Sequence, residues 1–223
     1  MIEGIWEEIN IIVNKNKART LCEVKPEIIS ALGKYSIISA EAFILKLSDH
    51  VSIPAPKIQV WYGGFSAGQH PAHYSNGVIT IKQYEKFNAN LIAGILAHEF
   101  SHYFIDHLKL KWKDLDLNKQ ERLVDLIAIF LGFGKFIING KILEQNDSEI
   151  HVGYLGLNEC VNAFYWWGKI NNITNNQLSR DLKYNLSVSN GEGDEQGSDI
   201  KRFGLTLLII MAVFSVMLLI FLR

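Results

Sequence analysis

The stretch His98-Glu99-Phe100-Ser101-His102 decides the reading of this chain. Its spacing is H-E-x-x-H. On an α-helix, residues at i and i+4 stand one above the other on a single face. The imidazoles of His98 and His102 can therefore converge on one metal ion. Glu99 is turned about 100° from His98 around the helix. That puts it close enough to act on a metal-bound water without being a ligand. Zinc favours imidazole and carboxylate donors in tetrahedral array, and a catalytic zinc site leaves one position for water.

The surroundings of the stretch read as helix. From Asn88 to Leu108 apolar residues recur at Leu91, Ile92, Ile95, Leu96, Phe100, Tyr103 and Phe104. That is a broad apolar stripe at helical spacing. Asn88 or Asn90 can cap the N-terminus, and Gly94 is a mild weakness in the interior. The motif thus falls well inside a half-buried helix.

A third ligand is needed, and after eighteen intervening residues beyond His102 the chain reaches Glu121-Arg122-Leu123-Val124-Asp125. Glu121 and Asp125 are i and i+4 on a second predicted helix, residues 118–133. If that helix packs on the first, Glu121 completes a set of two histidines and one glutamate. Asp125 then accepts the other ring N–H of a ligating histidine and fixes its tautomer and orientation. The converse, Asp125 as ligand with Glu121 in support, uses the same two positions. Taken alone, Glu121 also fits a capping box with Asn118 as N-cap.

H-E-x-x-H followed at this distance by E-x-x-x-D resembles the gluzincin metallopeptidases of the thermolysin type, and the short chain is most similar to their compact minimal members. The resemblance implies that His98, His102 and Glu121 bind zinc, that Glu99 is the general base, and that Asp125 orients a zinc histidine. It implies hydrolysis of peptide bonds in a peptide or protein substrate. It also implies an α+β zincin-like domain, mostly helical, with a short antiparallel sheet before the active-site helix. Thermolysin-like enzymes stabilise the oxyanion with a His or Tyr from a later segment. The candidates here are His151 and Tyr154, with Tyr154 preferred. The H-x-x-G-x-x-H pattern of metzincins is absent, and His107 reads as a surface histidine.

Residues 56–62 read as a strand, broken by Gly63 and Gly64, and residues 73–81 read as another with Asn76-Gly77 as a turn signal inside it. In gluzincins an edge strand borders the cleft, where an extended peptide can pair with it. Ser66, Gln69, His70 and His73 would lie near the mouth of the site, the histidines as loop decoration. Residues 2–14 and 39–50 have helical spacing, with Ser39 as N-cap of the latter. The second site helix is expected to stop at Gly132-Phe133-Gly134. Asn158 opens a further helix in which Phe164, Tyr165, Trp166 and Trp167 line a core or groove.

The second strong feature is the run from Phe203 to Leu222, twenty residues without a charge. At helical rise that length matches a bilayer core of about 30 Å, so it reads as a single transmembrane helix. Before it, Ser187 to Asp199 holds three Gly and four acids and reads as a flexible tether. The expected organisation is a metallopeptidase domain over residues 1–185, an acidic tether over 186–202 and a membrane helix over 203–222. The acidic start, Met1 to Glu8, is no signal peptide. Lys201 and Arg202 precede the helix and only Arg223 follows it, which places the domain on the cytoplasmic side. Two cysteines, Cys22 and Cys160, agree with a reducing compartment.

A net charge of −1 and the lack of a basic stripe argue against nucleic acid as a partner. Neither a Walker A motif nor a Rossmann glycine fingerprint is present. The reading that competes with a peptidase is a zinc-stabilised binding or regulatory module tethered to the membrane. The glutamate at position 99 argues against it, because a purely structural zinc site needs no general base.

Overall fold

The computed structural model describes residues 20–34, 36–61, 70–82, 87–110, 115–144, 153–180 and 182. Helices α1 (Pro26–Leu32) and α2 (Ile37–Val51) lead into strand β1 (Lys57–Trp61) and a hairpin of β2 (Ala72–Ser75) and β3 (Val78–Lys82). Helix α3 (Ala89–His107) carries H-E-x-x-H, and α4 (Leu117–Ala128) carries E-x-x-x-D. A kinked turn (Ile129–Phe133), non-helical at Gly132, joins α4 to α5 (Gly134–Glu144), and α6 (Leu157–Ile170) and the short α7 (Asn175–Ser179) follow. The class is α+β, mainly helical with one small sheet. The predicted helix over residues 2–14, the loop residues Ser66 and Gln69, the tether and Phe203–Leu222 lie outside the described residues.

Helix α3 is the centre of the domain. Asn88 caps it, its side-chain oxygen accepting from the backbone N–H groups of Asn90 and Leu91 at 3.0 and 3.2 Å. Burial runs almost without a break from Leu91 to Ser101, on every face of the helix. The sheet, α1, α2, α4 and α5 all pack on it. A central helix enclosed in this way holds its side chains in a fixed frame, which a metal centre requires.

The expectation of an antiparallel sheet is corrected. Strand order is β1-β3-β2, with β2 antiparallel to β3 but β1 parallel to it. The chain runs up, down and up through the three strands. The hairpin at Asn76-Gly77 makes β3 the partner of β2, and β1 pairs with the far edge of β3, where the directions agree. Ile58 stands opposite Ile79 and Val60 opposite Ile81. Ile58, Ile79 and Ile81 are buried and turn one face to the core. Tyr74 of β2 ties the sheet to α3. Its hydroxyl donates to the Asp106 carboxylate and accepts from the Gly77 N–H at 3.0 Å. The Tyr103 hydroxyl donates to the carbonyl of Pro54 at 2.8 Å.

Two local expectations also change. Helix α2 starts at Ile37, with Ser36 at the N-cap. The Ser39 hydroxyl, predicted as the cap, donates to the Ser36 carbonyl at 2.7 Å. Helix α4 is capped by Asp116 in place of Asn118, the carboxylate accepting from the Lys119 N–H at 3.0 Å. Gly132 interrupts the second site helix, as expected. It takes φ 84° within the kinked turn, and the chain turns helical again at Gly134. A Cβ on Gly132 would lie 2.4 Å from the carbonyl oxygen of Thr20. The close approach lets the Gly132 carbonyl accept from the Cys22 N–H at 3.1 Å. Among the described residues, the run Leu117–Lys141 is the one long and apolar enough to cross a bilayer, yet it is almost wholly buried in the protein.

Phe133 meets Phe100 edge to face at 5.7 Å, and Phe43 meets Phe136 at 5.1 Å. Aromatic pairs of this kind each add about 0.5–1.5 kcal/mol beyond their buried area. Helix α6 closes over the far side. Phe164 and Trp167 are buried and stacked, and the Trp167 indole donates to the Phe130 carbonyl at 3.0 Å. Tyr165 and Trp166 are half-buried. Glu159 joins α6 to α4, one oxygen accepting from the Gly156 N–H at 2.8 Å and the other from Arg122 at 2.6 Å. Cys22 and Cys160 are buried free thiols, and burial pushes the Cys22 thiol up to about 12.

Candidate metal centre

Helices α3 and α4 pack together and bring the sequence-predicted ligands to one point. The Nε2 atom of His98 lies 3.2 Å from Oε2 of Glu121, and Nε2 of His102 lies 3.1 Å from the same oxygen. The two rings stand 5.0 Å apart, edge to face. Donor atoms of the three residues all fall within 4.8 Å of one another, the one such group among the described residues. Two donors of a tetrahedral zinc are separated by about 3.3 Å when each bond is about 2.0–2.1 Å. The spacing found is close to that edge length. Two imidazole nitrogens and a carboxylate oxygen are a donor set that can hold a metal ion.

The Nδ1 atom of His98 is engaged on the other side of the ring, which leaves its Nε2 facing Glu121. It donates to Oδ1 of Asp125 at 2.8 Å. Asp125 is fully buried. Its other oxygen accepts from the backbone N–H groups of Tyr154 and Leu155, both at 2.7 Å, and lies 3.9 Å from the Lys141 ammonium. Asp125 thus sits behind His98, and Glu121 faces both histidines. The capping-box reading of Glu121 gives way with Asn118, since Asp116 is the cap.

The electrostatics follow from this geometry. Burial works against a charged His98, but hydrogen bonds to Asp125 and Glu121 outweigh it and raise the imidazole to about 10. Burial likewise opposes a charged Glu121, and the two histidines overcome it to hold the carboxyl at about 2. Asp125 is held below its usual range: burial opposes the charge, and the His98 contact and Lys141 more than offset it. The two carboxylates thus favour the imidazolium form of His98. A metal ion would take the place of its Nε2 proton.

Glu99 is buried on α3 beside His98, and its charge acts on that ring. Tyr154 stands in the loop before α6, with its side chain 39% exposed. Its hydroxyl is raised above its ordinary value by burial, then by the charges of Glu121, Glu99 and Asp125. His151 lies outside the described residues. His70, His73 and His107 are exposed and outside the cluster, and His107 packs on Tyr103 at 5.7 Å. Sequence reasoning missed Gly153, Leu155 and Lys141 as neighbours of Asp125. Their only signal was a glycine directly before the candidate tyrosine.

No protein-family model, no curated protein and no solved structure matches the chain.

Proposed function

We propose that the chain is a zinc-dependent metallopeptidase of gluzincin type, hydrolysing peptide bonds and carried on a membrane by residues 203–222. The observation that supports it is the convergence of His98 Nε2, His102 Nε2 and Glu121 Oε2, with Glu99 alongside. A structural site has no need of that glutamate, and zinc matches the donor set. Bound there, zinc supplies Lewis acidity toward the scissile carbonyl and a more acidic water.

The residues of the chain supply the rest. Glu99 accepts a proton from the attacking water at its carboxylate, as the water oxygen bonds to the carbonyl carbon. The Tyr154 hydroxyl donates to the carbonyl oxygen as negative charge builds on it. Glu99 then passes its proton to the amine nitrogen as the C–N bond breaks. Asp125 keeps Nδ1 of His98 protonated and its Nε2 lone pair directed at the centre. With the domain on the cytoplasmic face, substrates are peptides or proteins near the membrane surface.

The test is Glu99→Gln in the full chain, with zinc content and cleavage of a peptide library measured together. The variant is expected to keep one zinc per chain and lose at least about a hundredfold in turnover, the usual contribution of a general base. Cleavage at the wild-type rate in that variant would sink the mechanism.

A further inference from the structure

The loop ahead of α6 meets the metal centre in an unusual way. Gly153 takes φ +68°, and a Cβ there would lie 2.0 Å from Oδ1 and 2.4 Å from Oδ2 of Asp125. No residue with a side chain fits at that point without displacing the loop or the carboxylate. Because the Gly153 backbone comes so close, the next two N–H groups, of Tyr154 and Leu155, both reach Oδ2 of Asp125 at 2.7 Å. The opposite oxygen holds His98 at 2.8 Å. One buried carboxylate therefore serves a metal-donor histidine and the backbone of the tyrosine at once.

Hydrogen bonds from backbone N–H groups to an ionised, buried carboxylate are among the stronger ones. Two of them on adjacent residues fix the direction in which the Tyr154 side chain leaves the chain. The Tyr154 backbone is thereby anchored to the carboxylate that also holds the metal-donor His98, and the residue stays 39% exposed. A phenol on an unrestrained loop would have to be ordered at each binding event. Here the ordering is built in.

We propose that Gly153–Leu155 form a strap, seated on Asp125 through the missing side chain of Gly153, that aims the Tyr154 hydroxyl at a ligand oxygen in the metal centre. Gly153 is a positioning residue and acts through Tyr154. The proposal rests on the metal-centre reading and extends it to the group that recognises the ligand's oxygen.

The test uses the full chain loaded with cobalt(II), whose visible bands report the ligand set. The probe is acetohydroxamate, a small chelating oxygen ligand, so no peptide cleavage is required. Wild type, Gly153→Ala, Tyr154→Phe and the double variant are titrated. Each single variant should weaken acetohydroxamate about five- to tenfold, the worth of one hydrogen bond. The double should be no weaker than the worse single, and the cobalt bands before ligand should match wild type. Losses that multiply in the double, wild-type affinity in Gly153→Ala, or lost cobalt in that variant would each overturn the strap. Hydrogen exchange at the Tyr154 and Leu155 amides of the wild type gives a second reading that needs no variant to fold. Slow exchange is expected, and exchange at the rate of an open loop overturns the proposal. Cobalt binding without peptide cleavage would count against the peptidase alone and leave the strap standing.

Discussion

Nδ1 of His98 stands 2.8 Å from Oδ1 of Asp125, a carboxylate with no exposure to solvent. This contact sets which nitrogen of His98 is left to face His102 and Glu121. It also makes the ring more basic as a donor. Asp125→Asn keeps the shape but presents either an amide NH2 or a weaker carbonyl to the ring. It is expected to lower zinc affinity about ten- to a hundredfold, as read by competition with a chromophoric chelator. Unchanged affinity would remove Asp125 from the centre.

Glu121 offers one oxygen to both histidines. Glu121→Ala should reduce bound zinc from one per chain to a small fraction in elemental analysis. The helix itself should survive, since its cap is Asp116 and its apolar face is Leu123, Val124, Ile127 and Ala128. Zinc retained in full would shift the third ligand elsewhere.

The metal-free protein should show a limited pH window of stability. His98 is raised from 6.5 to about 10, against the cost of burial, by Asp125 and Glu121. Its contribution is complete below 6.5 and disappears as pH rises through about 10. Glu121 is lowered from 4.5 to about 2 by the two histidines, again against burial. Its contribution is complete above 4.5 and disappears as pH falls toward 2. Chemical denaturation of the metal-free chain should therefore peak between pH 4.5 and 6.5 for this cluster. Zinc uptake must expel the His98 proton, so zinc affinity should climb about tenfold per pH unit from 6 to 9. A pH-independent affinity over that range would contradict the buried imidazolium.

Gly132 carries a positive φ and has no room for a Cβ beside the Thr20 carbonyl. Gly132→Ala should cost about 2–3 kcal/mol, from backbone strain plus the broken approach to Cys22. Urea denaturation measures it. A change under about 0.5 kcal/mol, the usual range for an inert surface substitution, would show that the kinked turn relaxes freely.

Much of the centre was legible because it depends on short spacings. Residues i and i+4 share a helix face whatever the tertiary context, which gave His98 with His102 and Glu121 with Asp125. The cap at Asn88 and the turn at Asn76-Gly77 are local chemistry and were legible for the same reason. What stayed hidden depends on contacts between distant segments. The parallel pairing of β1 with β3 depends on which sheet edge a strand takes, and both edges present the same apolar alternation. Gly132 was legible as a helix break, but the Cys22 N–H that reaches its carbonyl from far earlier in the chain was not. Gly153 sits next to Tyr154 in sequence, but its reason is a carboxylate 28 residues earlier.

Between Ile129 and Phe133 the helical path breaks, because Gly132 takes φ 84°. In a continuous α-helix, the rotation that aims Glu121 and Asp125 at the histidines would also dictate which side of α5 meets the core. The break at Gly132 removes that link. The facing of α5 is therefore set by its own packing on α3 and by Lys141 beside Asp125, independently of the rotation of α4.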